Sequence, residues 1–276
     1  MAARRAWSAA VVSSVAMLWC LAAPPSGVSL AADVSSATLS AHDVLVSPNL
    51  PAVVEAGLTV ERRGKQLPAP GTSLELVQDM RVLATAVTDE RGMAALRFVP
   101  TRRGSQQLIV RTLSGSAVTA TAAVTVAVWE RRTPILTVEA AALRDPVSGE
   151  PSPDAAEELR RMTQFYYNVV YVVAEAGDSG RRLAAGSRMR QWLADHGFPV
   201  GYVLVSASPE AFGPKLDELR SAGWTTIKVG VGRTKEFAEV FVQRRLEAVV
   251  VPEPAKGEAP RKAKVAKNWK DVRRQL

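Results

Sequence analysis

The chain runs to 276 residues, 47% of them hydrophobic and 22% charged, a balance that excludes wholesale disorder and leaves room for two modest domains. Its formal net charge is +8, and six of those charges come from residues 255–276, where eight Lys and Arg face only Glu258 and Asp271. A basic tail, not a basic fold, sets the charge.

The N-terminus reads as a secretory signal over residues 1–31. Arg4 and Arg5 precede an apolar stretch from Ala9 to Ala23, Pro24, Pro25 and Gly27 then break it, and Ser29-Leu30-Ala31 and Leu30-Ala31-Ala32 offer small-residue cleavage sites. The expected product is exported, periplasmic or extracellular, beginning near Ala32 or Asp33; an uncleaved segment would instead anchor it in a membrane. Cys20 is the only cysteine, so cleavage leaves a mature chain without disulfides, thiol catalysis or zinc–thiolate sites.

Residues 36–129 alternate short apolar segments with turn chemistry. Val44-Leu45-Val46, Leu58-Thr59-Val60, Leu74-Glu75-Leu76-Val77, Ala95-Leu96-Arg97-Phe98 and Leu108-Ile109-Val110-Arg111 suit strands, and Val118 to Trp129 closes the series. Gln66 to Gly71, Asp89 to Gly92 and Arg102 to Gly104 supply the turns between them. The spacing predicts an antiparallel β-sandwich. The stretch Pro70 to Val77, followed by Val87-Thr88-Asp89-Glu90-Arg91-Gly92-Met93-Ala94, resembles a bacterial immunoglobulin-like domain, which implies a fold and leaves both ligand binding and a spacer role open.

From Arg131 the period changes, and the boundary is expected between Trp129 and Thr133. Strands at Ile135–Val138, Asn168–Val173, Val203–Val205, Thr226–Val231 and Ala248–Val251 alternate with helices over Asp154–Gln164, Arg181–His196, Pro209–Ala222 and Lys235–Arg245. This predicts an α/β domain over residues 131–254, a parallel sheet with helices on both faces and its site at the strand C-termini.

Tyr167-Asn168-Val169-Val170-Tyr171-Val172-Val173-Ala174-Glu175, then Arg190-Gln191-Trp192-Leu193 and Phe198-Pro199-Val200-Gly201, resemble the haloacid dehalogenase superfamily, and within it lipin-like and related secreted phosphatase domains. The resemblance implies a Rossmann-like core. It also implies a nucleophilic Asp after the first strand, an acid/base Asp two residues on, a Thr or Ser after the second strand, a later Lys, and carboxylates for Mg²⁺ after the fourth. Here Glu139 stands at the nucleophile position, Ala141 at the acid/base and Val173 at the hydroxyl. Lys215 is the candidate lysine, and Arg233 and Phe237 stand where metal ligands belong. Losing several members of such a set together predicts a catalytically dead site, with no metal and no cofactor. The expected function is a non-catalytic pseudophosphatase acting as a binding or scaffold protein of the cell envelope. The rival is an atypical phosphatase acting on phosphomonoesters or phospholipid phosphate.

Lys215, Arg233 and Lys235 are candidate anion-binding residues beside helix N-termini, unless Arg233 simply forms a salt bridge with Glu139. The two histidines, His42 and His196, lie far apart in the chain and suggest no dyad, and Gly230-Val231-Gly232 suits a tight strand–helix turn better than a nucleotide loop. The acidic pairs Glu157-Glu158 and Asp217-Glu218 read as solvated helix faces. In the tail, residues 255–276, Val265, Trp269, Val272 and Leu276 form an apolar stripe along a basic helix. It could dock on its own domain or contact a partner or an anionic membrane. The expected partner is a protein or an anionic ligand, and nucleic acid is not expected.

Overall fold

The computed structural model describes residues 34–255 and 257–276; the expected signal segment lies outside them. Among the described residues no helix is long and apolar enough to cross a membrane.

The N-terminal half is two packed sheets. The first sheet has β1 (Val34–Ala41), β3 (Ala52–Arg62), β4 (Lys65–Pro68) and β7 (Met93–Phe98), and the second has β2 (Val44–Val46), β5 (Ser73–Gln78), β6 (Arg81–Val87), β8 (Gly104–Thr112) and β9 (Thr121–Val128). β3 shows the physical logic best. Ala52, Val54, Ala56, Leu58 and Val60 alternate inward and are all buried, so every second residue meets the opposite sheet. One edge of β3 pairs with β1; the other is shared by β7 and then β4. Gly92 illustrates why the turn after Asp89 needs glycine. Its φ is +73°, and a Cβ there would lie 2.4 Å from the Leu58 carbonyl oxygen.

Three expectations need correction here. Residues 66–68 are not turn but part of β4, because Arg63 and Gly64 both take positive φ and close a two-residue hairpin ahead of them. β6 was not expected at all; it follows a second two-residue turn, at Asp79 and Met80, again with both φ positive. The sandwich is also not wholly antiparallel, since β2 runs parallel to β9.

The C-terminal half is a wholly parallel six-stranded sheet. Its strands are β10 (Ile135–Glu139), β11 (Asn168–Ala174), β12 (Tyr202–Ser206), β13 (Ile227–Gly232), β14 (Glu247–Val250) and β15 (Lys264–Val265), in the order β12-β11-β10-β13-β14-β15. The order reverses at β10, so the end of β10 opens at the switch point of the sheet. The helices are α1 (Ala155–Phe165), α2 (Ser179–Asp195), α3 (Phe212–Ser221), α4 (Lys235–Gln243) and α5 (Trp269–Gln275). Buried residues of α1, α2 and α5 pack on one face, with Leu136, Val138 and Tyr171, and those of α3 and α4 on the other, with Ile135, Val172 and Val250. Asp178, Thr234 and Asn268 cap α2, α4 and α5 by accepting backbone N–H groups with their side chains.

The tail is not a free amphipathic helix. Lys264 and Val265 add the sixth strand, and α5 then lays Trp269 (2% exposed) and Val272 (0%) into the core over α1. Of the expected stripe, Leu276 packs against the edge of that core and only Val265 stays exposed. Lys270 pairs with Asp154 at 3.0 Å and Arg273 with buried Glu158 at 2.5 Å. Glu158, expected on a solvated face, is therefore an internal anchor for the tail.

The two halves share a buried joint. Asp43, between β1 and β2, accepts hydrogen bonds from the Arg190 guanidinium (2.8 Å), the Thr125 N–H (2.7 Å) and the Val203 N–H (2.8 Å). Val203 lies on edge strand β12, and Asp43 satisfies a donor that the sheet leaves free. Arg190 also donates to the Ala41 carbonyl and the Ser187 hydroxyl. Sandwich and α/β half thus meet through a charge pair whose side chains are 0% and 4% exposed.

Candidate functional site at the strand ends

β10 ends at Glu139 and runs into a 3-10 turn, Ala140–Leu143. That turn is held from three sides. The Trp269 indole N–H and the Ser152 hydroxyl both donate to the Ala142 carbonyl, and the Arg233 guanidinium donates to the Arg144 carbonyl at 2.9 Å. Across from it, β13 delivers the chain to the N-terminus of α4.

Glu139 reaches over to that helix end. Its Oε2 accepts from the backbone N–H groups of Arg233 (2.6 Å) and Thr234 (2.9 Å), and its Oε1 accepts from the Thr234 hydroxyl (2.6 Å). The carboxylate therefore occupies the seat that a helix N-terminus offers to an anion. The alternative of a side-chain salt bridge between Arg233 and Glu139 is replaced by this arrangement: the Arg233 main chain serves Glu139, and its guanidinium serves the Arg144 carbonyl.

Gly230 and Gly232 lie within β13 rather than in the turn after it, correcting the turn reading. A Cβ on Gly230 would lie 2.3 Å from the Phe241 ring, and one on Gly232 2.3 Å from the Phe237 ring. The glycines let aromatic rings approach the strand. Phe237 is buried and stacks on Phe212 at 5.6 Å, between ring centroids. It fills with hydrocarbon a place where the resemblance implies a metal ligand.

A cleft of about 290 Å³ opens above these strand ends. It brings together Glu139, Ala141, Val173 and Phe237, four of the positions singled out from the sequence. The expected anion site does not form. Lys215 pairs with Glu218 on α3 at 3.1 Å, Lys235 with Glu239 on α4 at 3.7 Å, and neither lines the cleft. Each is an exposed lysine satisfied within its own helix. The Mg²⁺ implied by the resemblance does not fit this donor set. Of the positions concerned only Glu139 carries a carboxylate, already shared among three donors, and among the described residues no group of three His, Cys, Asp or Glu side chains is placed to hold a metal.

Sequence reasoning missed the cleft's cations, Arg144 and Arg188. Arg144 follows the 3-10 turn, and its guanidinium carbon sits 4.2 Å from the centroid of the Trp192 ring. Burial pushes its pKa below the usual arginine value. Arg188 forms a long pair with Glu175, 3.6 Å, at the rim. The available signal was helical: Ala185, Arg188, Met189 and Trp192 recur at spacings of three and four along α2, which turns one stripe toward the strand ends.

No protein-family model matches the chain, and no curated protein matches it. Solved structures with some likeness include a D,D-heptose 1,7-bisphosphate phosphatase from Burkholderia thailandensis. It has 13% identity and a TM-score of 0.39, and the match covers 52% of this chain and 97% of that one. The N-terminal Ig1-2 module of a Drosophila receptor protein tyrosine phosphatase matches 40% of this chain and 62% of its own, with 13% identity and a TM-score of 0.27. A CARDB domain from Pyrococcus furiosus, solved with di-metal ions, matches 34% and 93%, with 17% identity and a TM-score of 0.22. These are weak neighbours of a phosphatase kind and of an immunoglobulin-like kind, too distant to carry function.

Proposed function

We propose that this chain is an exported, non-catalytic binding protein of the cell envelope, with an α/β half that resembles a haloacid-dehalogenase-type phosphatase without its chemistry. One observation carries the reading: Glu139, the carboxylate at the nucleophile position, is committed to the N-terminus of α4 through three hydrogen bonds. Each charge-assisted bond of this kind contributes about 1.5–3 kcal/mol. Attack on a phosphoryl group would require breaking several of them, and the phosphate would find its anion seat already filled. Around Glu139 the other positions offer nothing to the reaction. Ala141 has no proton to give, Val173 no hydroxyl, and Phe237 no oxygen for a cation. Export rests on the expected signal segment over residues 1–31.

The test is turnover of p-nitrophenyl phosphate by purified mature protein in Mg²⁺, with Glu139→Ala as control. No difference between the two is expected. Mg²⁺-dependent hydrolysis lost in Glu139→Ala would restore the rival reading, an atypical phosphatase with Glu139 as a working nucleophile.

A further inference from the structure

We infer that the strand-end cleft binds a small organic monocarboxylate, its carboxylate paired with the Arg144 guanidinium and its apolar body lying against the Ala140, Val172, Val173 and Phe237 wall. The inference rests on the non-catalytic reading above and names the ligand class of the same site.

The argument begins with an imbalance of charge. Two carboxylates and two guanidiniums line the cleft. Glu139 is satisfied by main chain and hydroxyl donors, and Glu175 faces Arg188 across the rim. Among the described residues no carboxylate stands within ion-pair distance of Arg144. Its Nη2 meets only the Met189 sulfur at 3.7 Å, a poor acceptor; its Nε is buried out of a ligand's reach, so it is the Nη edge that has a carboxylate to gain. A half-buried cation with such unspent donors is costly unless something completes it.

Arg144 is also held in place before any ligand arrives. Trp269, Ser152 and Arg233 clamp the turn beneath it, and the Trp192 ring supports its flat face. A guanidinium fixed in this way presents its edge as a fork, which a carboxylate matches with two parallel hydrogen bonds. The bland rival is an arginine that lies along apolar surface and is completed by water alone.

The rest of the cleft limits what the acid can be. About 290 Å³ is at the small end for an organic ligand, and most of the wall is Ala, Val, Met and Phe. A second negative charge would meet Glu139 and Glu175, so a dianion is disfavoured. One charge on a compact apolar body fits the lining.

The experiment titrates the full mature protein with benzoate, with the neutral isostere benzamide and with the dianion terephthalate, following melting temperature and heat of binding. Benzoate should raise the melting temperature at millimolar concentration, and benzamide and terephthalate should not. Arg144→Met should weaken benzoate roughly tenfold or more, whereas Lys215→Met, at an exposed pair away from the cleft, should leave it unchanged. Equal shifts with benzoate and benzamide, no benzoate shift at tens of millimolar, or unchanged binding in Arg144→Met would each overturn the inference. The benzoate–benzamide contrast needs no variant, so the test stands even if Arg144→Met folds badly. Hydrolysis of p-nitrophenyl phosphate would overturn the non-catalytic reading itself; absent benzoate binding without hydrolysis overturns this inference alone.

Discussion

Two buried charge clusters govern this molecule, one at the joint between its halves and one at the strand ends, and they balance in opposite ways. At the joint a carboxylate and a guanidinium answer each other directly: Asp43 and Arg190 lie 2.8 Å apart, both almost without exposure. At the strand ends the carboxylate is answered by the backbone of α4, and Arg144 is left with a ring face, a sulfur and an unpartnered Nε. An ion pair of the first kind holds elements in register. Both arginines bury an unpartnered Nε, but Arg190 has a carboxylate and a carbonyl on its Nη groups, and the whole pair is sealed from solvent. An open cation beside a cleft, as in the second, is chemistry not yet spent. The contrast is sharper because Met189, against Arg144, and Arg190 are adjacent residues of α2: one helix serves the joint with one face and the cleft with the next.

The largest expected effect comes from unbalancing the joint. Arg190→Met strands the Asp43 carboxylate among buried groups, and loss of one partner of such a pair costs about 3–5 kcal/mol. Urea melts at neutral pH should show that loss in a single transition shared by both halves. Two separate transitions, or a loss below ~1 kcal/mol, would make the joint a surface contact and break the comparison.

A smaller effect tests the balance within the pair. Burial pushes Asp43 up to about 6, against the Arg190 guanidinium and the two N–H donors, which favour the ionised form. The folded chain then holds this proton more tightly than the unfolded chain, where the value is near 3.8. The contribution is fully present below about pH 4 and is lost as pH rises through about 6. At about 1.4 kcal/mol per pKa unit, the ceiling is about 3 kcal/mol. Stability relative to Asp43→Asn should therefore fall between those pH values; a rise would mean that the ion pair outweighs the desolvation.

The smallest effect sits at the strand ends. Glu139→Ala removes three hydrogen bonds but leaves the freed N–H groups near a cleft that water can enter, so a loss of about 2 kcal/mol is expected. The same substitution empties the anion seat at α4. Inorganic phosphate should raise the melting temperature of Glu139→Ala and leave the wild-type chain nearly unmoved. An equal rise in both would place phosphate elsewhere and remove the idea that Glu139 is its own anion.

The α/β alternation was legible because apolar runs of strand length and helical stripes differ in period, and every helix expected between Asp154 and Arg245 is found near its expected place. β4 and β6 were hidden for a local reason. Their hairpin turns use Arg63-Gly64 and Asp79-Met80, and nothing about Arg63 or Met80 announces a positive φ. Arg190 stands in a recognisable motif, but nothing near it in the chain gives it a role, since its partner Asp43 lies 147 residues away.

What the sequence determined by itself was the alternation of strands and helices between Ile135 and Val251 and the residue types standing at the strand ends, because period, length and residue type are local properties. Ala141 can carry no proton and Phe237 no cation wherever the chain folds. Only the tertiary structure decided where the long side chains went. A stripe of Val265, Trp269, Val272 and Leu276 on a basic helix reads the same whether it meets a membrane or α1, and Lys215, Lys235 and Arg144 are equally cationic on the page. For the tail and for Arg144 the deciding neighbours were distant in the chain; for the two lysines they were three and four residues away. Glu218 and Glu239 closed off the two lysines within their own helices, α1 and the core took up the tail, and Arg144 was left lining the cleft with no carboxylate partner among the described residues.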